Sequence, residues 1–371
     1  MRPESEEELS AIVAGARGPI RVRGGGTRGP GETAPGEVLE TGGLSGIVLH
    51  EPGALTLVAR AGTPLAGIEA ALAAEGQRLA FEPPDLRGLL GTAGEPTIGG
   101  AVATNASGPR RIQAGACRDF LLGVRFVDGT GAVVRNGGRV MKNVTGYDLV
   151  KLMAGSRGTL GVLTEVALKV LPVPETEATL VLHGLPDAAA VAALATGLSA
   201  PYEVTGAAHL PGAGRTLLRI EGFAASVAYR ADRLRALFPE TAQEVEADPG
   251  ASRALWAGVR DVAAFHGRAG DVWRLSVKPS DAPALAARLG AEALVYDWGG
   301  GLVWALLPEG TDARARLGAF AGHATLVRGS AATRAALPAF HPEPAPVAAL
   351  SRGLRQRFDP RGVLNPGLMD A

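Results

Sequence analysis

Apolar and polar positions along the chain fall into two periods that change over short distances. Ser5 precedes Glu6-Glu7-Glu8, and Leu9, Ile12 and Val13 follow at helical spacing. With Glu8 three residues beyond Ser5, this predicts a helix opened by a capping box. After Pro19 the pattern tightens to a short strand, Ile20-Arg21-Val22, which runs into Arg23-Gly24-Gly25-Gly26-Thr27-Arg28-Gly29. Two more short strands, Gly46-Ile47-Val48-Leu49 and Leu55-Thr56-Leu57-Val58-Ala59, are split by Pro52-Gly53. Thr63 then predicts a helix cap with Pro64 at the first position, Ile68, Ala71 and Leu72 on one face, and Gly76 at the end. Phe81-Glu82-Pro83-Pro84-Asp85 reads as rigid and extended.

Farther on, Leu122–Val127, the turn Asp128-Gly129-Thr130-Gly131 and Ala132–Arg135 predict a hairpin. Lys142-Asn143-Val144-Thr145-Gly146-Tyr147-Asp148-Leu149 opens a short helix through Leu152-Met153. A glycine-rich turn, Gly155-Ser156-Arg157-Gly158-Thr159-Leu160-Gly161, then feeds a strand from Val162 to Val170. Pro172-Val173-Pro174 marks a domain boundary. Beyond it, strands near 216–220, 272–277 and 301–306 and Ala-rich helices near 187–199 and 225–237 predict a compact α+β module. The last stretch, Arg357 to Gly367, is turn-rich.

One segment stands apart, Thr97-Ile98-Gly99-Gly100-Ala101-Val102-Ala103-Thr104-Asn105-Ala106-Ser107-Gly108, which is almost free of bulk and charge. Two readings of it stand side by side. A small-residue helix lets a backbone pack closely on a sheet, and a short helix opening here offers its first N–H groups to an anion. Gly24-x-Gly26-x-x-Gly29 formally matches the dinucleotide fingerprint, which demands a helix at the last glycine. Pro30, Gly31, Pro35 and Gly36 follow instead, so the Rossmann reading fails on context. What survives is either an anion-binding nest of consecutive N–H groups or a flexible surface turn.

Composition narrows the function. The 371 residues suggest two domains, and 37 basic against 37 acidic side chains leave no basic excess for nucleic acid. A single cysteine, Cys117, excludes an internal disulfide and any cysteine-built cluster, and reads as a small buried residue. The acidic start after Met1 is unlike a signal peptide. No apolar run approaches the roughly 18 residues of a membrane span, so no direct membrane insertion is expected and a cytoplasmic setting is the default.

The order of the three loops carries more than any one of them. A strand and Arg23-Gly24-Gly25-Gly26-Thr27, then Pro84-Asp85 leading to Thr97-Ile98-Gly99-Gly100, then Gly158-Thr159-Leu160-Gly161, resembles the p-cresol methylhydroxylase-type flavoproteins. The resemblance implies an α+β fold: a two-subdomain FAD-binding domain over 1–172, an α+β cap over 173–350, and a C-terminal segment, 351–371, packing back toward the flavin domain. It implies FAD contacts at Arg23, Gly24, Gly25, Gly26, Thr27, Pro84, Thr97, Gly99, Gly100, Ala103, Thr104, Asn105, Gly108, Gly115, Gly158, Gly161, Val162 and Asn365. Many relatives attach FAD through a histidine just after the first glycines. Here that position is Thr27 and the nearest histidine is His50, which implies noncovalent FAD.

Lys142–Leu149, Gly108-Pro109-Arg110-Arg111, Asp297-Trp298-Gly299-Gly300, Gly322-His323-Ala324-Thr325 and Leu364-Asn365-Pro366-Gly367 resemble, over essentially the whole chain, the smaller flavoprotein subunits of bacterial glycolate oxidases. That resemblance implies oxidation of glycolate, a small 2-hydroxy acid, to glyoxylate. It also implies a larger homologous flavoprotein subunit, an iron–sulfur subunit, and a peripheral place at the inner face of the plasma membrane through the complex. A self-sufficient D-2-hydroxy-acid dehydrogenase of the D-lactate type is the alternative, and a scaffold with a degenerate FAD site is a third.

Such chemistry needs a cation for the carboxylate and a base for the hydroxyl proton. Arg274, on the strand Trp273–Val277, is the candidate cation, and His323 is the candidate base. Against these stand a surface arginine on a half-exposed strand and a structural loop histidine. Arg110 and Arg111 either balance phosphate charge or face solvent, and Trp298 and Tyr147 read equally as packing aromatics. No two of the six histidines fall at ligand spacing, so no metal site is expected.

Overall fold

The computed structural model describes residues 1–29, 34–139 and 146–369. Pro30 and Gly31, and the Lys142–Thr145 half of the helix-opening motif, lie outside the described residues. The chain divides into two compact units.

The first unit comprises Met1–Ser107, Gly115–Val173 and Pro342–Ala371. Its opening helix, Glu6–Gly15, is capped by Ser5, whose Oγ accepts from Glu8 N. The box closes one residue early, because the Glu8 carboxylate accepts from Glu4 N at 2.8 Å rather than from the cap residue. Leu9 and Val13 on the inner stripe join Ile20, Leu39, Val127, Val162 and Leu364 in one core cluster. Ile20–Arg23 pairs in parallel with Glu37–Glu40. A five-stranded antiparallel sheet runs in the order Ile47–Glu51, Thr56–Arg60, Val162–Lys169, Leu121–Val127, Val133–Gly137.

Thr63 does not cap the helix after it. That helix, Leu65–Ala74, has Pro64 at its cap and no side-chain cap bond. The Thr63 hydroxyl is engaged across the loop instead, donating toward Arg60 O at 2.7 Å and accepting from Gly46 N at 2.9 Å.

The second unit comprises Pro174–His341 together with Gly108–Ala114, a seven-residue strap from the middle of the first unit's sequence. Its eight-stranded antiparallel sheet runs Gln243–Glu246, Thr176–His183, Arg215–Gly222, Gly206–Leu210, Ala293–Asp297, Leu302–Leu307, Asp271–Val277, Gly322–Arg328. Helices Asp187–Ser199 and Ala224–Arg235 contribute to one core, around Leu180, Leu194, Leu218 and Leu234. Helix Ala282–Leu289 contributes to another, around Trp273, Leu285 and Tyr296. The strap is tied down by charge: Arg110 donates from Nε and Nη2 to the two Glu221 oxygens, each at 2.8 Å, with both side chains buried. Removing one partner of such a buried pair leaves an uncompensated charge, at a cost of about 3–5 kcal/mol.

Candidate functional site

The first unit encloses a cavity of about 310 Å³, lined by the 21–29 segment, by the helix Ile98–Ala103 and by Arg157, Gly158, Gly161 and Asn365 among others. The Ile20–Arg23 strand delivers the glycine loop to it. The loop must be glycine because another backbone passes alongside. A Cβ on Gly25 would lie 1.5 Å from Glu95 O, and one on Gly24 would lie 2.9 Å from Thr97 Oγ1. Gly26, at φ +67°, sits in the left-handed region that glycine adopts without strain. Among the described residues, the backbone N–H groups of Gly24, Gly25, Gly26 and Thr27 meet no acceptor. Such a run of N–H groups is suited to an anion, the sharper of the two readings of this loop.

The small-residue segment works differently from the sequence expectation. It does form a short helix, Ile98–Ala103, capped by the Thr97 side chain. However, its first N–H groups are already spoken for. Ile98 N donates to Thr63 O at 3.0 Å, Gly99 N to Ala61 O at 2.8 Å, and Gly100 N to Thr97 Oγ1 at 3.2 Å. The small residues are there for close packing, since a Cβ on Gly99 would fall 2.6 Å from Ala61 O. The helix is a wall of the cavity and its end is not the anion donor.

The sequence reading expected Arg23 but passed over the other cations of the site. Arg28 and Arg157 both line the cavity, as do Arg21 and Arg23. Burial, and then the Arg28 charge beside it, pull the Arg157 guanidinium down to about 10. The two guanidinium groups are close enough for the Arg28 charge to act on that of Arg157. Each directly abuts a glycine loop in sequence, which was the available signal. Asn365, buried and at φ +45°, clamps the site's floor. Its Oδ1 accepts from Val22 N and its Nδ2 donates to Arg157 O, both at 2.7 Å.

Of the expected FAD contacts, Arg23 to Thr27, Thr97, Gly99, Gly100, Ala103, Thr104, Gly158, Gly161 and Asn365 line this cavity. Pro84, Asn105, Gly115 and Val162 do not. Val162 points the other way on a strand whose alternate residues, Gly161 and Leu163, face the cavity, and it is fully buried in the core. Asn105 instead accepts from Arg118 N through its side chain, at 3.0 Å. Gly115, at φ +101°, makes the turn before Ala116. Pro84 is buried in the extended segment before Asp85. Gly108 belongs to the second unit, where its carbonyl accepts from Trp298 Nε1 at 3.0 Å.

The two catalytic candidates also lie in the second unit. His323 is on the strand Gly322–Arg328, not in a loop, and is paired opposite Ser276, two residues from Arg274. Arg274 and Arg111 each stack on Trp298, 5.1 and 4.6 Å from the ring centroid. Loss of surrounding water, then the charges of Arg274, His341 and Arg111, lower the His323 pKa, so the ring is neutral at pH 7. Cys117 is buried, its thiol pushed up to about 12. Among the described residues no three His, Cys, Asp or Glu side chains gather as a metal site, and no helix is long and apolar enough to cross a membrane.

The glycine nest, the flanking arginines and the small-residue wall suit a diphosphate, and the comparisons agree with that chemistry. The FAD binding domain family matches residues 1–137. Glycolate oxidase subunit GlcE of Escherichia coli is 38% identical over 92% of this chain and 89% of its own length. Glycolate oxidase subunit GlcD of Bacillus subtilis is 36% identical, over 51% of this chain and 40% of its own length. D-lactate dehydrogenase of Archaeoglobus fulgidus is 33% identical over 46% and 38%. Among solved structures, 4-ethylphenol oxidase from Gulosibacter chungangensis shares the fold with a TM-score of 0.71 at 14% identity, over 99% of this chain and 88% of that one. Alkyldihydroxyacetonephosphate synthase does so with a TM-score of 0.70 at 18% identity, over 99% and 76%. With FAD as its cofactor, the chain belongs to the family of glycolate oxidase subunit GlcE.

Proposed function

We propose that this chain is an FAD-binding subunit of a glycolate-oxidising complex, working beside a larger homologous flavoprotein subunit and an iron–sulfur subunit that receives the electrons. The observation that carries the reading is the match to a glycolate oxidase subunit over nearly the full length of both chains. The first unit's residues divide the work of holding the cofactor. Gly24 to Thr27 offer backbone N–H groups to the diphosphate, Arg28 and Arg157 neutralise it, and Thr97, Gly100 and Thr104 line the small-residue wall. Thr27 stands where relatives carry a linking histidine, and it supports noncovalent attachment. Bound FAD supplies the two-electron acceptor for the C2–H bond of a 2-hydroxy acid.

The stacked arginines and neutral imidazole favour a second reading, in which the chain oxidises a D-2-hydroxy acid such as D-lactate unaided. In that reading Arg274 holds the carboxylate, Arg111 stiffens it through Trp298, and neutral His323 takes the hydroxyl proton. Anaerobic absorbance spectra of the purified chain separate the two. Flavin bands that persist with glycolate but bleach when the partner subunits are added support the subunit reading. Bleaching by glycolate or D-lactate without partners supports the self-sufficient enzyme. No flavin bands after reconstitution with FAD would sink both.

A further inference from the structure

The helix Ala345–Phe358, in the first unit, does not bury one of its fourteen residues. A helix this long ordinarily holds its place by burying an apolar stripe. Here the half-buried positions are Ala348, Ser351, Arg355 and Phe358, and Phe358 packs on Phe126 with ring centroids 6.0 Å apart. The aliphatic residues lie on the exposed flank beside it. Val347, Leu350 and Leu354, spaced three and four apart, are 46%, 72% and 40% exposed. Leu350 is bulky, apolar and more exposed than any other leucine of the described residues.

Two further observations say what covers this stripe. The helix carries Arg352, Arg355 and Arg357 and no acidic residue, and Arg352 and Arg357 are exposed. Gly353 interrupts it where a Cβ would meet nothing within 4 Å, at a helix cost of about 1 kcal/mol relative to alanine. Nothing inside the chain requires that glycine, and it shares the outer side with Leu350 and Arg357.

We infer that this helix is a docking element for a protein partner that presents an apolar groove edged by Asp and Glu side chains. The inference rests on the reading of the chain as one subunit of a complex. Val347, Leu350 and Leu354 are the anchors of a helix-in-groove contact, Gly353 lets the partner's backbone approach, and Arg357 meets the acidic rim. A second copy of this chain fits poorly, because an isologous contact sets the same arginines against each other. A lipid surface also fits poorly, since three aliphatic side chains without an exposed Trp or Phe make a small membrane-binding face. Because a stable interface buries about 800 Å² on each partner, the helix anchors a wider contact and does not make up all of it.

The test uses the full chain co-expressed with its larger flavoprotein and iron–sulfur subunits, with a photo-crosslinking residue at position 350 and light scattering on the eluted species. Leu350→Asp and, separately, Gly353→Leu should each weaken assembly by about ten- to a hundredfold. Gly353→Leu raises helix propensity, so its loss of assembly cannot come from unfolding. Both variants should keep the wild-type flavin-to-protein ratio, and the crosslink should map to an Asp- and Glu-rich segment of a partner subunit. Wild-type assembly in both variants overturns the docking face while sparing the subunit reading. So does a crosslink to a second copy, or binding to anionic vesicles that Leu350→Asp abolishes. A wild-type chain that assembles with neither subunit overturns both.

Discussion

Replacing Gly100 by valine separates holding the cofactor from holding the fold. A Cβ at this position would lie 3.2 Å from Thr97 Oγ1 and 3.9 Å from Arg28 Cδ, with nothing else of the described residues within 4 Å apart from its chain neighbours and the backbone of its own helix. The protein can take that atom with a shift of a few tenths of an ångström. Gly100 is inside the helix Ile98–Ala103, where glycine is the poorer helix former, so the intrinsic propensity change slightly favours valine. Fold stability should therefore move by no more than about 1 kcal/mol.

The cofactor has no such tolerance, because the two valine methyls project into a cavity that Gly100 lines. Overpacking costs about 1–3 kcal/mol, and displacing a phosphate from one charged hydrogen bond costs about 1.5–3 kcal/mol. Together these are about 2.5–6 kcal/mol, or about two to four powers of ten in Kd for FAD. The measurement is the flavin-to-protein absorbance ratio after reconstitution, with Kd from flavin fluorescence and the melting curve taken alongside. Gly100→Ala, which adds only the Cβ, should lose about tenfold or less. Gly67→Val, at a position with open space around it, should lose nothing. A Gly100→Val protein that melts normally and retains full flavin would refute the placement of the cofactor against this wall.

Three other outcomes follow from the same contacts. Asn365→Ala strands Val22 N and Arg157 O, and should cost about 2–4 kcal/mol in denaturant unfolding as well as weakening FAD retention; an unchanged midpoint would mean water replaces the amide. Arg157→Met should melt higher than wild type without FAD and bind FAD more weakly, and a parallel loss of both would contradict the repulsion with Arg28. Burial raises the Glu6 pKa, but hydrogen bonds from Arg125 and Thr164 and the Arg125 charge outweigh it, leaving it below its ordinary value. Its contribution is thus present above about pH 4.5 and lost as pH falls through the lower folded value. Glu6→Gln should cost about 1 kcal/mol at pH 7 and progressively less as pH falls below 4.5, read from urea midpoints.

The sequence was legible where one local period or one steric demand decides the outcome. The strands around residues 20, 57, 125 and 165, the hairpin at 128–131 and the helix at 187–199 follow from alternation, turn residues and spacing alone. That the glycine loop is no Rossmann fingerprint was legible, because proline and glycine stand where its helix would start; the choice between a nest and a surface turn was not. Partner choice was not legible. Thr63 matches a helix cap in sequence, yet Gly46, seventeen residues back, takes its hydroxyl. The N–H groups of Ile98 and Gly99 look free until a loop from residues 61–63 comes alongside. The strap Gly108–Ala114 leaves no mark in periodicity, because its place in the second unit depends on Glu221, more than a hundred residues later.

These non-local contacts also decide which group carries the anion. An N-terminal helix end and a glycine loop are interchangeable on paper, since both present unpaired N–H groups. In the folded chain the helix end is consumed by the packing that Gly99 permits, and only the loop keeps its donors. Two arginines are then held beside that loop, and burial first, then the Arg28 charge, disfavours the charged form of Arg157. A ligand that binds only the folded state stabilises it by mass action, so a diphosphate that neutralised both arginines should also raise the melting temperature of the domain. A cradle of this kind should therefore release riboflavin, which carries no phosphate, far more readily than FAD.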